Sequence, residues 1–178
     1  MTEEESLLAA INENVELHPY DSSWAQTFEI ERKRLISLLP GIFVDIEHIG
    51  STAVPGLVAK PIIDILAGVK SISTSAEITP ILCQSGYNTS TEFNDSLSDR
   101  KWFMRWANGH RTHHLHVVVH NSEIWHERMK FRNCLRSNPE YAEKYAALKA
   151  RLATTYSTDR EAYTNAKAEF IRAIVHEA

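Results

Sequence analysis

The chain has 178 residues, of which 43% are hydrophobic and 24% are charged, and its formal net charge is −4. This size and composition predict one globular domain over residues 1–178, in which residues 1–14 form either a frayed tail or a short helix. The negative charge argues against nucleic acid or an anionic membrane as a general partner, but leaves a local basic pocket open. No apolar run has membrane-spanning length and the acidic N-terminus lacks a secretory h-region, so the expected location is the cytoplasm.

Hydrophobic periodicity and turn residues predict alternating helices and strands. In chain order we expect a helix over 21–39, a strand over 42–48, a short or broken helix over 51–57, a strand over 62–69, a helix from 73 or 75 to 85, strands over 101–107 and 112–119, and three amphipathic helices that begin near 122, 138 and 158. Asn108-Gly109, between two β-rich runs, is a strong hairpin signal. The polar residues 87–99 predict a loop with a strand at its start, which we interpret as a candidate mobile flap. The last three helices are expected to pack on the sheet, the third of them after a capping box over residues 158–161.

The first chemical signal lies between residues 46 and 69. Asp64 occupies the middle of the second buried strand, where a carboxylate must be paired, hydrogen-bonded or metal-bound because an isolated buried charge is too costly. Gly50-Ser51 ends the first strand and lets the backbone approach an anion closely, so that its N–H groups can hold phosphate. Together they indicate a phosphate-holding turn opposite a metal-holding acid. The alternative is an ordinary Gly-Ser turn beside a structural aspartate.

The second signal is a run of histidines in the last predicted strand. His114 and His116 alternate along this strand and therefore point to one face, which can meet Asp64 on a neighbouring strand. Asp64, His114 and His116 are thus candidate metal ligands, and imidazole with carboxylate suits Zn²⁺ or Mn²⁺. The alternative is that the histidines only pack and hydrogen-bond within the sheet. The His-x-His pattern also resembles the histidine triad hydrolases, but their third histidine would fall at Val118, which excludes that family.

Both signals belong to a wider resemblance. Ile49-Gly50-Ser51, followed by the strand acid Asp64, resembles the motif of the nucleotidyltransferase superfamily. More narrowly, residues 47–57 (EHIGSTAVPGL), 59–64 (AKPIID), 111–118 (RTHHLHVV) and 131–136 (FRNCLR) are similar to the GrpB family, and the resemblance covers nearly the whole chain from about Val15. It implies an α/β (α+β) fold of the nucleotidyltransferase-like kind, a mixed β-sheet flanked by helices with a C-terminal helical segment.

The resemblance also implies residue roles. Nucleotidyltransferases place a divalent ion between strand carboxylates and nucleotide phosphates, and Mg²⁺ is the expected cofactor. This assigns Asp64 to the metal and Gly50 with Ser51 to the phosphates, while His116 takes the third acidic position as a base or phosphate contact. The second strand acid of active members would fall at position 66, where this chain has Leu66. That departure argues against a two-metal site.

Several basic residues are candidates for further phosphate contacts, since Arg binds phosphate through a planar fork and Lys supplies a point charge. Lys60 and Arg111 rank first because they flank the two motifs, and Arg132, Lys149 and Lys167 follow in the helical region. For any one of them alone, a solvated surface position is the alternative.

Two functions are compatible with these residues. The first is an enzyme that transfers a nucleoside monophosphate from a nucleoside triphosphate to an unknown acceptor, with a small-molecule nucleotide as its partner and Mg²⁺ at Asp64. The second is a non-catalytic module that binds a nucleotide or coenzyme phosphate on the same fold. Leu66 favours the second, and domains of this family attached to dephospho-coenzyme A kinases suggest the coenzyme.

Overall fold

A five-stranded mixed sheet with helices on both faces organises residues 1–177, which the computed structural model describes. The helices are α1 (Glu3–Asn12), α2 (Ser23–Leu38), α3 (Ser75–Gln84), α4 (Thr91–Asp95), α5 (Glu123–Ser137), α6 (Pro139–Thr155) and α7 (Arg160–Glu177), and the strands are β1 (Phe43–Ile49), β2 (Ile63–Val69), β3 (Tyr87–Asn88), β4 (Arg100–Ala107) and β5 (His110–Val119). The strand order is β1-β2-β5-β4-β3, in which β2 and β5 run parallel and the other neighbours run antiparallel. The mixed α/β sheet expected from the sequence is confirmed.

Local signals explain where several elements begin and end. Asn108 and Gly109 have φ values of 53° and 77°, as a two-residue hairpin turn between β4 and β5 requires. Residues 1–14 are not a frayed tail, because α1 forms and the side chains of Thr2 and Glu5 make a capping box at its start. The capping box expected over residues 158–161 is replaced by a simple N-cap: the Oδ1 atom of Asp159 accepts a hydrogen bond from the backbone N–H of Ala162 at 3.0 Å.

The segment of residues 87–99 begins with a strand, as predicted, but the rest of it is not the mobile loop that its polarity suggested. It contains β3 and α4, and Asn94, a residue of α4, is buried. The Asn94 amide donates to the Thr89 hydroxyl at 2.7 Å and to the Trp102 carbonyl at 3.2 Å, and its oxygen accepts from the Trp102 backbone N–H at 2.9 Å. These bonds attach the segment to β4, which is the opposite of what a mobile flap requires.

Different layers cover the two faces of the sheet. On one face α2 and α3 pack over the main core, which includes Leu35, Ile65, Ile78, Phe103 and Leu115. On the other face α5 packs Ile124 and Trp125 against Ile49, Leu66 and Val118. None of the helices in residues 1–177 combines the length and apolar character needed to cross a membrane.

The expectation that all three C-terminal helices pack on the sheet is wrong for α6 and α7. The buried apolar residues of α6 and α7 pack in two clusters with residues of α5, of the turn after β1 and of the segment after α1. The buried members of the two clusters are Val15, Val54, Leu57, Phe131, Cys134, Leu135, Tyr145, Leu152, Tyr163 and Ile174. No strand residue belongs to these two clusters. The two helices therefore stand off from the sheet, and the space between them is the cleft described below.

A matched pair on α2 tests which face of this helix holds the core. Leu35 is 0% exposed and its neighbour Ile36 is 43% exposed. Leu35→Ala should lower the free energy of unfolding by about 2–5 kcal/mol, because it leaves a cavity, whereas Ile36→Ala should cost less than about 1 kcal/mol. Urea denaturation of both variants measures the difference, and equal losses would contradict the packing of α2.

Candidate functional site

A cleft of about 500 Å³ lies between one face of the sheet and helices α5 to α7. Its floor is formed by β2 and β5, where Asp64 is level with His114 and Leu66 is level with His116. Because alternate strand residues share a face, Asp64, His114 and His116 all point into the cleft, as the sequence predicted, and all three line it.

Asp64 is the centre of this group. Its Oδ1 atom lies 3.1 Å from His114 Nδ1 and 3.8 Å from His116 Nε2, and donor atoms of the three residues lie within 4.8 Å of one another. The Asp64 side chain is 29% exposed, so a ligand in the cleft can reach it. Burial acts to raise the pKa of Asp64, but the hydrogen bond from His114 and the nearby His116 ring outweigh it and hold that pKa below its usual range. Asp64 is therefore an ionised carboxylate at neutral pH.

Arg111 sets the tautomer of His114. The Nη1 atom of Arg111 lies 3.1 Å from His114 Nε2, and a guanidinium only donates hydrogen bonds. His114 Nε2 must accept this bond, which places the ring proton on Nδ1, where it is donated to Asp64. In this arrangement His114 has no free lone pair for a metal ion. The ligand role predicted for His114 would require the ring to move its proton and lose the bond from Arg111.

The structure places Arg111 outside the cleft rather than among phosphate contacts. Arg111 is 3% exposed. Its guanidinium donates to Oε2 of Glu13 through Nε at 2.9 Å and through Nη2, and Nη2 also donates to the Ala10 carbonyl at 3.3 Å. Glu13 also lies 3.6 Å from Arg160 and 3.9 Å from Lys60. Arg111 is thus held behind the site, where it positions His114 and is not available to a phosphate.

His116 presents its Nε2 atom to the cleft. Burial lowers the pKa of His116 to about 4, although the nearby Asp64 carboxylate acts to raise it. The ring is therefore neutral at pH 7, and because Nε2 lies beyond hydrogen-bond distance of Asp64 Oδ1, this nitrogen is free to present a lone pair to a metal ion in the cleft. Its Nδ1 atom is buried and has no hydrogen-bond partner within residues 1–177.

The Gly50-Ser51 turn packs directly against the Asp64 carboxylate. Gly50 has φ 73° and ψ −172°, a conformation that only glycine adopts without strain. A Cβ atom at Gly50 would lie 2.6 Å from Asp64 Oδ2. The Thr52 hydroxyl donates to the Ile62 carbonyl at 3.2 Å and so fastens the turn to the segment before β2. Gly50 and Ser51 both line the cleft beside Asp64.

The cleft is basic although the chain as a whole is acidic. Its lining includes seven Lys and Arg residues but only two acids; the basic residues are Lys60, Arg100, Arg128, Lys149, Arg160, Lys167 and Arg172, and the acids are Asp64 and Glu127. Charge of one sign concentrated in a low-dielectric cleft attracts ligands of the opposite sign. The arrangement indicates an anionic ligand.

The three lysines of this set are partly or fully buried, although burial is unfavourable to their charge. Lys60 Nζ is buried without a hydrogen-bond partner in residues 1–177, Lys149 is 1% exposed and donates to the Val58 carbonyl, and Lys167 Nζ lies 4.3 Å from the centre of the Tyr163 ring. Burial lowers the pKa of Lys149 to about 7 and the pKa of Lys60 and Lys167 to about 8. A bound anion would stabilise the charged form of each lysine.

Sequence reasoning missed some residues that line the cleft, and it assigned to the cleft Arg132 as well as Arg111, which do not line it. Arg128 lies on the otherwise apolar face of α5, and an arginine on such a face was a signal that could have found it. Arg100 and Trp102 gave no comparable signal, because they follow the segment interpreted as a flap. Arg132 does not line the cleft: it is buried, with Nη1 2.5 Å from a carboxylate oxygen of Glu47.

Comparison with known proteins identifies the family. The family model described as GrpB protein matches residues 14–177. The chain belongs to the GrpB family. The glutamate-rich protein GrpB of Alkalihalophilus pseudofirmus is 35% identical over 89% of this chain and 92% of its own length. The UPF0157 protein PA4798 of Pseudomonas aeruginosa is 40% identical over 95% of this chain and 69% of its own length.

A solved structure supports the fold of this GrpB-family chain directly. The crystal structure of the conserved protein GrpB from Enterococcus faecalis superimposes with a TM-score of 0.82 at 35% sequence identity, covering 91% of this chain and 96% of that one. Relatives differ in length, since this chain spans 45% of the UPF0157 protein YqkA of Bacillus subtilis. The family and the fold implied by residues 47–64 are both confirmed.

The tautomer of His114 is open to direct measurement. In metal-free protein at pH 7, ¹⁵N NMR should show His114 with its proton on Nδ1, because Arg111 occupies Nε2. Arg111→Met should remove this constraint and shift the ring towards the other tautomer. Arg151→Met, a substitution at an exposed position on α6, is the matched control. A wild-type His114 protonated on Nε2 would overturn the assignment.

The contact between Gly50 and Asp64 can be separated from simple backbone strain. Gly50→Ala should cost about 1–3 kcal/mol of stability, and should shift the ring signals of His114 and His116 because the new Cβ displaces the Asp64 carboxylate. Gly41 also has positive φ, 74°, but a Cβ there meets nothing within 4 Å, so Gly41→Ala should leave the ring signals in place. Unmoved histidine signals in Gly50→Ala would contradict the close packing.

Proposed function

We propose that this GrpB-family protein is a nucleotidyltransferase that binds a nucleoside triphosphate in the basic cleft and transfers its nucleoside monophosphate to a small acceptor. One observation carries the proposal: the ionised Asp64 lies against the Gly50-Ser51 turn inside a cleft rich in Lys and Arg. In this reaction an acceptor oxygen forms a bond to the α-phosphorus, the bond to the β-phosphate oxygen breaks, and pyrophosphate leaves. The proton of the acceptor hydroxyl passes to solvent.

The lysines supply the site for the phosphate chain. Lys60, Lys149 and Lys167 come from the segment before β2, from α6 and from α7, and all three line the cleft. No carboxylate of residues 1–177 lies within 4.0 Å of Lys149 or Lys167. A triphosphate would replace the solvation that burial removes from these groups, which makes it a better ligand than a neutral molecule.

A divalent ion fits the donors that face the cleft. Asp64 supplies a carboxylate oxygen and His116 a neutral Nε2, and water and phosphate would complete the coordination. Mg²⁺ is the expectation from the superfamily, but a nitrogen donor suits Mn²⁺ or Zn²⁺ better. When bound by these residues, such an ion would supply charge neutralisation and orientation for the phosphates. With Leu66 fully buried at the second acidic position, the site offers one carboxylate and so fits one ion.

The histidines then have different roles. A general base works best when its pKa is near the working pH, and the pKa of His116, lowered by burial to about 4, makes its ring a weak base. We therefore assign His116 to the ion rather than to proton transfer. His114 donates to Asp64 and fixes the direction of the carboxylate, as outer partners of metal ligands commonly do.

A binding module without chemistry is the second candidate. It is favoured by Leu66, and by the hydrogen bond between His114 and Asp64, which satisfies the carboxylate without an ion. Under this alternative the lysines still bind phosphate, but nothing is transferred. The two candidates differ in whether pyrophosphate is released.

The deciding experiment incubates the protein with each of the four nucleoside triphosphates, α-labelled, and with Mg²⁺, Mn²⁺ or Zn²⁺, and measures pyrophosphate and labelled product formed from a mixture of small metabolites. Asp64→Asn should reduce turnover by at least about a hundredfold, because the ion loses its carboxylate. Asp95→Asn, at an exposed site on α4, should have no effect.

Three outcomes would count against the enzyme. Normal turnover by Asp64→Asn would remove Asp64 from the mechanism. Tight nucleotide binding in EDTA without pyrophosphate release, weakened by Lys167→Met but not by Asp64→Asn, would favour the binding module. Absence of binding of every nucleoside triphosphate and of coenzyme A under all conditions would refute both candidates.

A further inference from the structure

The basic residues of the cleft fall into two groups on opposite sides of Asp64. Lys60 precedes Asp64 by four residues, and belongs with Lys149 and Lys167. Arg100 pairs with Val118, which is level with a residue of β2 four positions beyond Asp64. Four residues of strand span about 13 Å. The lysines therefore lie towards the start of β2 and Arg100 lies towards its end, with Asp64 between them.

Arg128 of α5 belongs to the group of Arg100. Ile124 of α5 packs with Leu66 and Val118. Arg128 stands one turn further along the same face of α5, and Val118 pairs with Arg100. Asp99 and Glu127 offset part of the positive charge of the two arginines, but no carboxylate of residues 1–177 pairs with Arg128 within 4.0 Å, and Asp99 is 3.7 Å from Arg100. Both arginines line the cleft.

The two groups come from different elements of the fold. Lys149 of α6 donates to the carbonyl of Val58, which precedes β2 near Lys60, whereas Arg100 and Arg128 belong to β4 and α5. Two like-charged groups on opposite sides of Asp64 are what a cleft needs in order to hold two anionic groups at once.

We propose that Arg100 and Arg128 form a second anion subsite, distinct from the lysines, which binds a carboxylate or phosphate group of the acceptor. Guanidinium groups present planar forks that match these anions, whereas the lysines present point charges. Trp102, which pairs with His116 across the sheet, lines the same end and supplies an aromatic wall. The identity of the ligand as acceptor rests on the proposed function, but anion binding at the arginines does not.

The subsite is tested without metal or nucleotide. In EDTA buffer, succinate and inorganic phosphate are titrated into ¹⁵N-labelled protein while the side-chain N–H signals of Arg100 and Trp102 are followed, and pyrophosphate binding is measured by calorimetry. One of the two anions is expected to move the Arg100 and Trp102 signals, and Arg128→Met should lower the affinity for that anion by about tenfold. The same variant should leave the affinity for pyrophosphate within about twofold of wild type. Lys167→Met should do the reverse.

Two further variants separate charge, geometry and folding. Arg128→Lys keeps the positive charge but loses the planar guanidinium fork, so it should also lower the affinity for succinate or phosphate. Lys130→Met, at an exposed position on α5, should leave the affinities for succinate or phosphate and for pyrophosphate unchanged. Thermal melting of every variant checks that it folds. A stronger response to succinate identifies a carboxylate ligand, and a stronger response to phosphate identifies a phosphorylated one.

The proposal is overturned if neither succinate nor phosphate moves the Arg100 and Trp102 signals. It is also overturned if Arg128→Met and Lys167→Met lower the affinity for the same anion to the same extent. Its fate is separable from that of the proposed function. Anion binding at the arginines with no nucleotidyl transfer would leave the subsite standing and refute the enzyme. Transfer with no anion binding at the arginines would do the opposite.

Discussion

An ionised carboxylate in the middle of a sheet is the constraint on which this site depends. A buried charge without partners is too costly to keep, and here the partners form a chain in which Glu13 holds Arg111, Arg111 holds His114, and His114 holds Asp64. Each bond fixes the donor direction of the next group. The segment after α1 is consequently part of the site, because removing Glu13 would leave a buried guanidinium unpaired behind His114.

The second constraint is the space that α6 and α7 leave open. The buried apolar residues of α6 and α7 pack against α5 and neighbouring loops. The two helices therefore do not pack on the strands. Lysines on these helices are thereby enclosed rather than solvated, and the pKa values of Lys149 and Lys167 fall to about 7 and about 8 through burial. Buried lysines without carboxylate partners reduce the stability of a folded protein, and groups perturbed in this way cluster at functional sites.

The site was largely readable from sequence where its geometry is local. The alternation of His114 and His116, and the position of Asp64 within an apolar strand, fix their faces through the two-residue period of a strand. The role of Arg111, which positions His114, could not be predicted from the sequence. Its partner Glu13 is 98 residues away, and no local sequence pattern indicates such a contact. The same reason explains residues 87–99, whose polar composition gave no sign that Asn94 would be buried against β4.

The departures from the superfamily pattern and the cation groups point to one account of the site. In the proposed transfer, a single strand acid, with Leu66 in the second position, would provide less metal-centred orientation than a carboxylate pair. Orientation must then come from groups that hold the ligands away from the reacting atoms, since binding energy at remote positions can be used to align a reaction. Lysines on one side of Asp64 and arginines on the other are suited to that task. On this argument the arginines matter as much as Asp64, because they would set the approach of the second substrate.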